Sequence, residues 1–194
     1  MTTVFPRFSD SSRGIHSLDN NRVLSLRPVL PDDEAFLCHV YAGTRREEVA
    51  AWGWDLATQD AFLKMQFTAQ RRGYEAAYPG ADQSIVLLGD RPVGRIIVDR
   101  TEQAIHLVDI ALLPEYRNAG CGTALIESLL SEAATAGLPV RLQVLKENRA
   151  MRLYQRLGFA TSGDSGLYLQ MEWRPGAPQE NARERASDEL AAGQ

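Results

Sequence analysis

Lysine is scarce in this 194-residue chain, with only Lys64 and Lys146 present, and no Gly-Lys pair occurs anywhere. A P-loop, which requires G-x-x-x-x-G-K-[ST], is therefore excluded. The formal net charge of −4 and the lack of clustered Lys and Arg argue against a general nucleic-acid surface, which must neutralise phosphates. The two cysteines, Cys38 and Cys121, have no metal-ligand spacing to each other or to the three histidines, so no metal centre is expected and both read as reduced thiols. No apolar run approaches the roughly 20 residues that span a bilayer. A basic-then-apolar leader pattern is also missing at the N-terminus, and a cytoplasmic protein without a membrane partner is the expectation. There are no internal repeats.

What is present suits a globular chain, with 44% hydrophobic and 24% charged residues. One domain is expected over residues 23–174, preceded by a loose arm over 1–22 and followed by a mobile tail over 175–194. Val23 to Pro28 reads as a first strand. Pro31-Asp-Asp-Glu34 starts a helix that Gly43 should end, and a second helical region runs from Arg45 to Gly73 through Trp52-Gly-Trp54. Large aromatics mostly bury, so core packing is the favoured reading of these tryptophans. Ser84 to Leu88 and Val93 to Asp99 form a hairpin, Val140 to Leu145 is a strand, and Leu167 to Trp173 is the last one. Strands alternating with helices around a central meander predict an α/β fold, a mixed, mostly antiparallel twisted sheet with flanking helices.

The organising stretch runs from His106 to Gly137. A strand-like run through Leu112 and Leu113 leads into Pro114-Glu-Tyr-Arg-Asn-Ala-Gly-Cys-Gly-Thr123. Leu125, Ile126, Leu129, Leu130 and Ala133 then recur at helical spacing. Such a loop ends at a helix start, where backbone N–H groups and the macrodipole favour anions. Gly120 and Gly122 remove side chains where a ligand would approach, and Arg117 can add a charged fork, so a pyrophosphate suits the turn. A dinucleotide fingerprint fits poorly, because Leu125 stands where its third glycine belongs.

The pattern Leu-x-Pro-x-Tyr-Arg-x-x-Gly-x-Gly from Leu112 to Gly122 resembles the coenzyme A pyrophosphate motif of the GNAT superfamily of N-acetyltransferases. Asn148-Arg-Ala-Met-Arg-Leu-Tyr-Gln-Arg-Leu-Gly-Phe159 resembles that family's second signature. The resemblance spans roughly Val23 to Trp173 and implies the acyltransferase fold, with acetyl-coenzyme A as acyl donor. It places the donor against Leu112, Leu113, Arg117, Asn118, Ala119, Gly120, Cys121, Gly122, Thr123, Asn148 and Tyr154. It further implies that the segment between the first two strands forms much of the acceptor wall.

Acyl transfer from a thioester to an amine needs a neutral amine, support for the oxyanion and a proton for the leaving thiolate. The resemblance implies a backbone N–H near Leu112 for the oxyanion and Tyr154 as general acid. Tyr154 also lies on a stripe with Ala150, Leu153 and Leu157, so a core role is open, and Asn148 is an N-cap alone or a cap that also meets the donor. His106 is the candidate base, because imidazole titrates in the useful range, although a solvated strand histidine fits equally. Asp109 falls on the opposite strand face. Gln143 occupies a position where other members carry Glu and cannot take a proton. Two functions follow: an N-acetyltransferase acting on a primary amine of a small molecule or peptide, or a catalytically silent coenzyme A-binding or sensing module. Glu47 and Glu48 could meet a cationic amine, yet such a pair is more often a solvated face. Oligomeric state, a homodimer included, is left open.

Overall fold

The structure is a computed structural model that describes residues 16–18 and 22–176. Two compact units are distinguished: one comprises the described residues up to Arg100 with Leu107–Leu125, the other Thr101–His106 with the described residues from Ile126 onward. The fold class is as expected, α/β with mostly antiparallel strands and flanking helices. Residues 1–15 and 177–194, most of the predicted arm and tail, lie outside the described residues.

In the first unit β1 (His16–Leu18), β2 (Arg22–Pro28), β3 (Asp82–Leu88), β4 (Arg91–Arg100) and β5 (Ile105–Leu112, its first two residues assigned to the second unit) lie in that order. β1 pairs antiparallel with β2, so a strand lies inside the stretch read as an arm. Leu88 pairs with Arg91, which leaves a two-residue turn, Gly89-Asp90, with Gly89 at φ 61°. Glycine at the first central position matches the twist of a hairpin. The turn is shorter than expected because Pro92 joins the strand, opposite Leu87 beside a register shift. Six consecutive buried residues, Val93 to Val98, mark β4 as covered on both faces.

Helix α1 (Glu34–Ala50) does not stop at Gly43 but continues for two more turns. The residues after Gly43, Thr-Arg-Arg-Glu-Glu-Val-Ala, hold helix well, and Gly43 itself is used for a close contact described below. Helix α2 (Leu56–Ala77) begins where Asp55 caps it, its side chain accepting from the Thr58 N–H at 3.0 Å. Leu37, Tyr41 and Val49 of α1, Leu63 and Phe67 of α2 and Ile85 of β3 form one apolar cluster. Full burial of a ring such as Phe67 contributes roughly 1.5–3 kcal/mol.

The two tryptophans overturn the core expectation. Trp52 is 44% and Trp54 42% exposed. They pack edge-on against each other at 5.0 Å and against Phe62 at 5.3 and 5.4 Å. Gly53, at φ 74°, lets the chain between α1 and α2 reverse with both rings on the surface.

The second unit orders its strands β6 (Val140–Leu145), β8 (Tyr168–Trp173) and β7 (Ala160–Asp164), all antiparallel. Val140, Leu142 and Val144 are buried while Arg141, Gln143 and Leu145 are exposed, the period of two of a strand with one covered face. Helix α3 (Cys121–Ala136) ends where Gly137 turns left-handed, at φ 69°. Helix α4 (Met151–Arg156) is short.

Candidate active site

The first unit builds the glycine-rich turn. Beyond β5, Pro114–Tyr116 forms a single 3-10 turn and Arg117 returns to extended backbone, with ψ 157°. Asn118 (φ 59°) and Gly120 (φ 82°) are both left-handed, which aims the intervening peptides away from the usual helical direction. Asn tolerates that region and Gly favours it. The Gly120 carbonyl accepts from the Ala124 N–H at 3.0 Å, the first rung of α3. The N–H groups of Cys121, Gly122 and Thr123 therefore precede the helical ladder, at the positive end of a 16-residue helix. Backbone donors at such an end favour an anion such as phosphate.

Two expected donors find protein partners. The Leu113 N–H donates to the Val93 carbonyl at 2.9 Å, so it is committed to β4. The Arg117 guanidinium donates through Nε to the Leu112 carbonyl at 2.9 Å and through Nη2 to the Gly43 carbonyl at 3.0 Å. One edge of the fork expected to face phosphate thus ties the turn to α1.

Two glycines shape this region: Gly94, which carried no role in the sequence, and Gly43, which read as a helix stop. A Cβ on Gly94 would clash with the Ala111 carbonyl and stand 2.7 Å from Leu112 Cδ2. A Cβ on Gly43 would stand 3.2 Å from Pro114 Cδ. An isolated Gly inside a strand or helix pattern signals such close backbone approach, and that signal was available.

In the second unit, Asn148 and Tyr154 share one turn and helix. Asn148 Oδ1 accepts from the Ala150 N–H at 2.9 Å, and its carbonyl accepts from Met151 N–H at 3.0 Å. The N-cap position of α4 is Ala150, so Asn148 organises the preceding turn and is not itself the N-cap. At the other end the Phe159 N–H reaches the Tyr154 carbonyl and the Gly158 N–H the Gln155 carbonyl, each at 3.0 Å, with Gly158 at φ 89°. That is a Schellman motif, and its usual apolar contact is present: the Tyr154 and Phe159 rings meet edge-on at 5.7 Å. Tyr154 is 6% exposed.

The Acetyltransferase (GNAT) family model matches residues 44–159, more than half of the chain. The chain belongs to the GNAT family. Solved structures share its fold at low identity. The PaiA N-acetyltransferase from Thermoplasma acidophilum, in complex with coenzyme A, superposes with a TM-score of 0.57 at 16% identity, covering 78% of this chain and 98% of that one. An acetyltransferase from Thermus thermophilus gives 0.55 at 21% identity, covering 78% and 96%. No curated protein matches the chain.

In this GNAT chain β5 carries ionisable side chains on both faces. His106 is half-buried and Asp109 lies on the opposite face, as strand alternation requires. Asp109 accepts from Arg95 Nε at 2.8 Å and from the Tyr74 hydroxyl at 3.4 Å. Arg95 Nη2 also donates to Gln70 Oε1, so α2, β4 and β5 share one network beneath α2. Burial pushes the Asp109 carboxyl above the usual carboxylate range, against the opposing pull of Arg95. Arg95 is 5% exposed, and removing one partner of such a buried pair would strand the other. Glu48 pairs with Arg45 at 2.9 Å and Glu47 is exposed, so this acidic pair is a solvated face. Gln143 is exposed on β6. Among the described residues no group of three or more His, Cys, Asp or Glu could hold a metal ion.

Proposed function

We propose that this GNAT protein transfers an acetyl group from acetyl-coenzyme A to a primary amine of a small molecule or peptide. The observation that carries the reading is the turn from Asn118 to Thr123, where two left-handed residues and three pre-ladder N–H groups converge on a helix start. A helix start of this kind favours a pyrophosphate through its dipole. Acetyl-coenzyme A supplies the activated acyl group. The protein's part is to hold the pyrophosphate on the turn, to give a proton to the departing thiolate from the Tyr154 hydroxyl, and to take one from the ammonium with His106. A phenol with reference pKa about 10 can protonate a thiolate whose acid lies near 8.5 once the two are oriented. The ring contact with Phe159 holds Tyr154 in place, which supports that reading.

A thiol-release assay with acetyl-coenzyme A over a panel of primary amines tests the reading. Amine-dependent release supports it. Absence of release with every amine, alongside a coenzyme A-induced rise in melting temperature, would replace it with a silent binding module. The base is tested by the rate–pH profiles of wild type and His106→Ala on one amine. Loss of the acidic limb in the variant is expected, and identical profiles would remove His106 from the mechanism.

A further inference from the structure

We propose that Arg117 and Gly43 form a strut and its seat, fixing the pyrophosphate turn against α1, and that α1 is thereby a positioning element for the acyl donor. The inference rests on the proposed function for its consequence, though the strut itself is a property of the free protein.

The seat is a stripe on α1. Phe36, Val40 and Gly43 recur at helical spacing, and Val40 packs with Ala111 and Leu113 at the end of β5, with Phe36 and Tyr116 alongside. Gly43 completes the stripe where the chain beyond β5 comes nearest. An alanine there would place its Cβ 3.2 Å from Pro114 Cδ, 3.6 Å from Pro114 Cγ and 3.8 Å from Arg117 Nη2. Glycine is a poor choice inside a helix, and the space it leaves is taken up by this approach. Onto the same residue the Arg117 guanidinium lowers one edge. Its Nε and Nη2 groups span the carbonyls of Leu112 and Gly43, positions 5 and 74 residues away in sequence. Both acceptors are carbonyls, and bridging them needs a planar fork of fixed spacing, not merely a positive charge. The next residue, Asn118, is already left-handed, so the height of Arg117 on α1 sets where the turn begins. Arg117 and Gly43 are positioning residues in this reading.

Charge and geometry are separable experimentally. In the full-length protein Gly43→Ala is expected to hold or raise the ligand-free melting temperature, since alanine is the better helix former. Coenzyme A affinity should nevertheless fall by about five- to twentyfold, with KM for acetyl-coenzyme A rising by the same factor and kcat held within about twofold. Arg117→Lys should lose as much affinity as Arg117→Gln, and both should keep the wild-type dependence of Kd on salt. Wild-type affinity in Gly43→Ala would overturn the proposal. So would retention by Arg117→Lys together with a shallower salt dependence in Arg117→Gln, the pattern of a direct phosphate contact. Amide exchange without ligand decides the strut independently: backbone N–H groups from Tyr116 to Cys121 should exchange faster in Gly43→Ala and Arg117→Gln, and unchanged exchange would sink it. A wild-type protein with no response to coenzyme A would instead defeat the proposed function, leaving the exchange result to judge the strut.

Discussion

The two signatures of this chain are built on opposite principles. From Asn148 to Phe159 the backbone closes on itself: an Asn side chain satisfies the opening turn, a Schellman pair satisfies the closing one, and two rings seal it. From Arg117 to Thr123 the backbone is held open. Two residues are left-handed, the first three N–H groups of α3 precede its ladder, and the one long side chain is used to brace the loop from behind. A self-satisfied motif serves to place a side chain, here Tyr154. An open one, with donors at a helix start, serves to receive something.

Gly120→Val attacks the open motif and carries the largest expected effect. At φ 82° a β-branched residue is strained by about 2 kcal/mol or more, which should distort the turn. The melting-temperature rise induced by coenzyme A should vanish, and a full rise in the variant would place the ligand elsewhere. Tyr154 probes the closed motif in two ways. Tyr154→Phe keeps the ring contact and should lower turnover by roughly ten- to several-hundred-fold with donor affinity near wild type. Tyr154→Ala should in addition cost about 3 kcal/mol of stability by emptying a buried site. Equal turnover of wild type and Tyr154→Phe on a chemically limited amine would make the closed motif purely structural. Asn148→Ala is the mildest test: loss of its turn-closing hydrogen bond should cost about 1 kcal/mol in a denaturant melt. A loss of donor affinity beyond that would mean that the closed motif also receives ligand.

Backbone conformation was legible in the sequence because it is decided within a few residues. The spacing of Gly120 and Gly122 after Arg117 marked the turn, the apolar periodicity from Leu125 marked α3, Gly137 marked its end, and Gly158-Phe159 marked the close of α4. Alternating burial on β6 follows from its alternating residues. Helix ends were less legible when glycine had a tertiary use. Gly43 resembled a stop and lies inside α1, because Pro114 occupies the space its missing side chain leaves.

By itself, then, the sequence determined the succession of strands and helices from β2 onward, though not the end of α1, the glycine-bearing turn at the start of α3 and the motif that marks the family, all products of local φ/ψ preference and short-range periodicity. Only the tertiary structure decided where long side chains spend their hydrogen bonds. Arg117 donates to a carbonyl 74 residues away, Asp109 is paired with Arg95 from another strand, and Trp52 and Trp54 pack on Phe62 at the surface instead of entering the core. A guanidinium or carboxylate can be satisfied within its own segment, as Arg45 with Glu48 and Asp55 at the start of α2 are, but Asp109 is not. Its charge must be satisfied by whatever polar group the fold brings within about 3 Å, and that neighbour is set by the packing of whole elements.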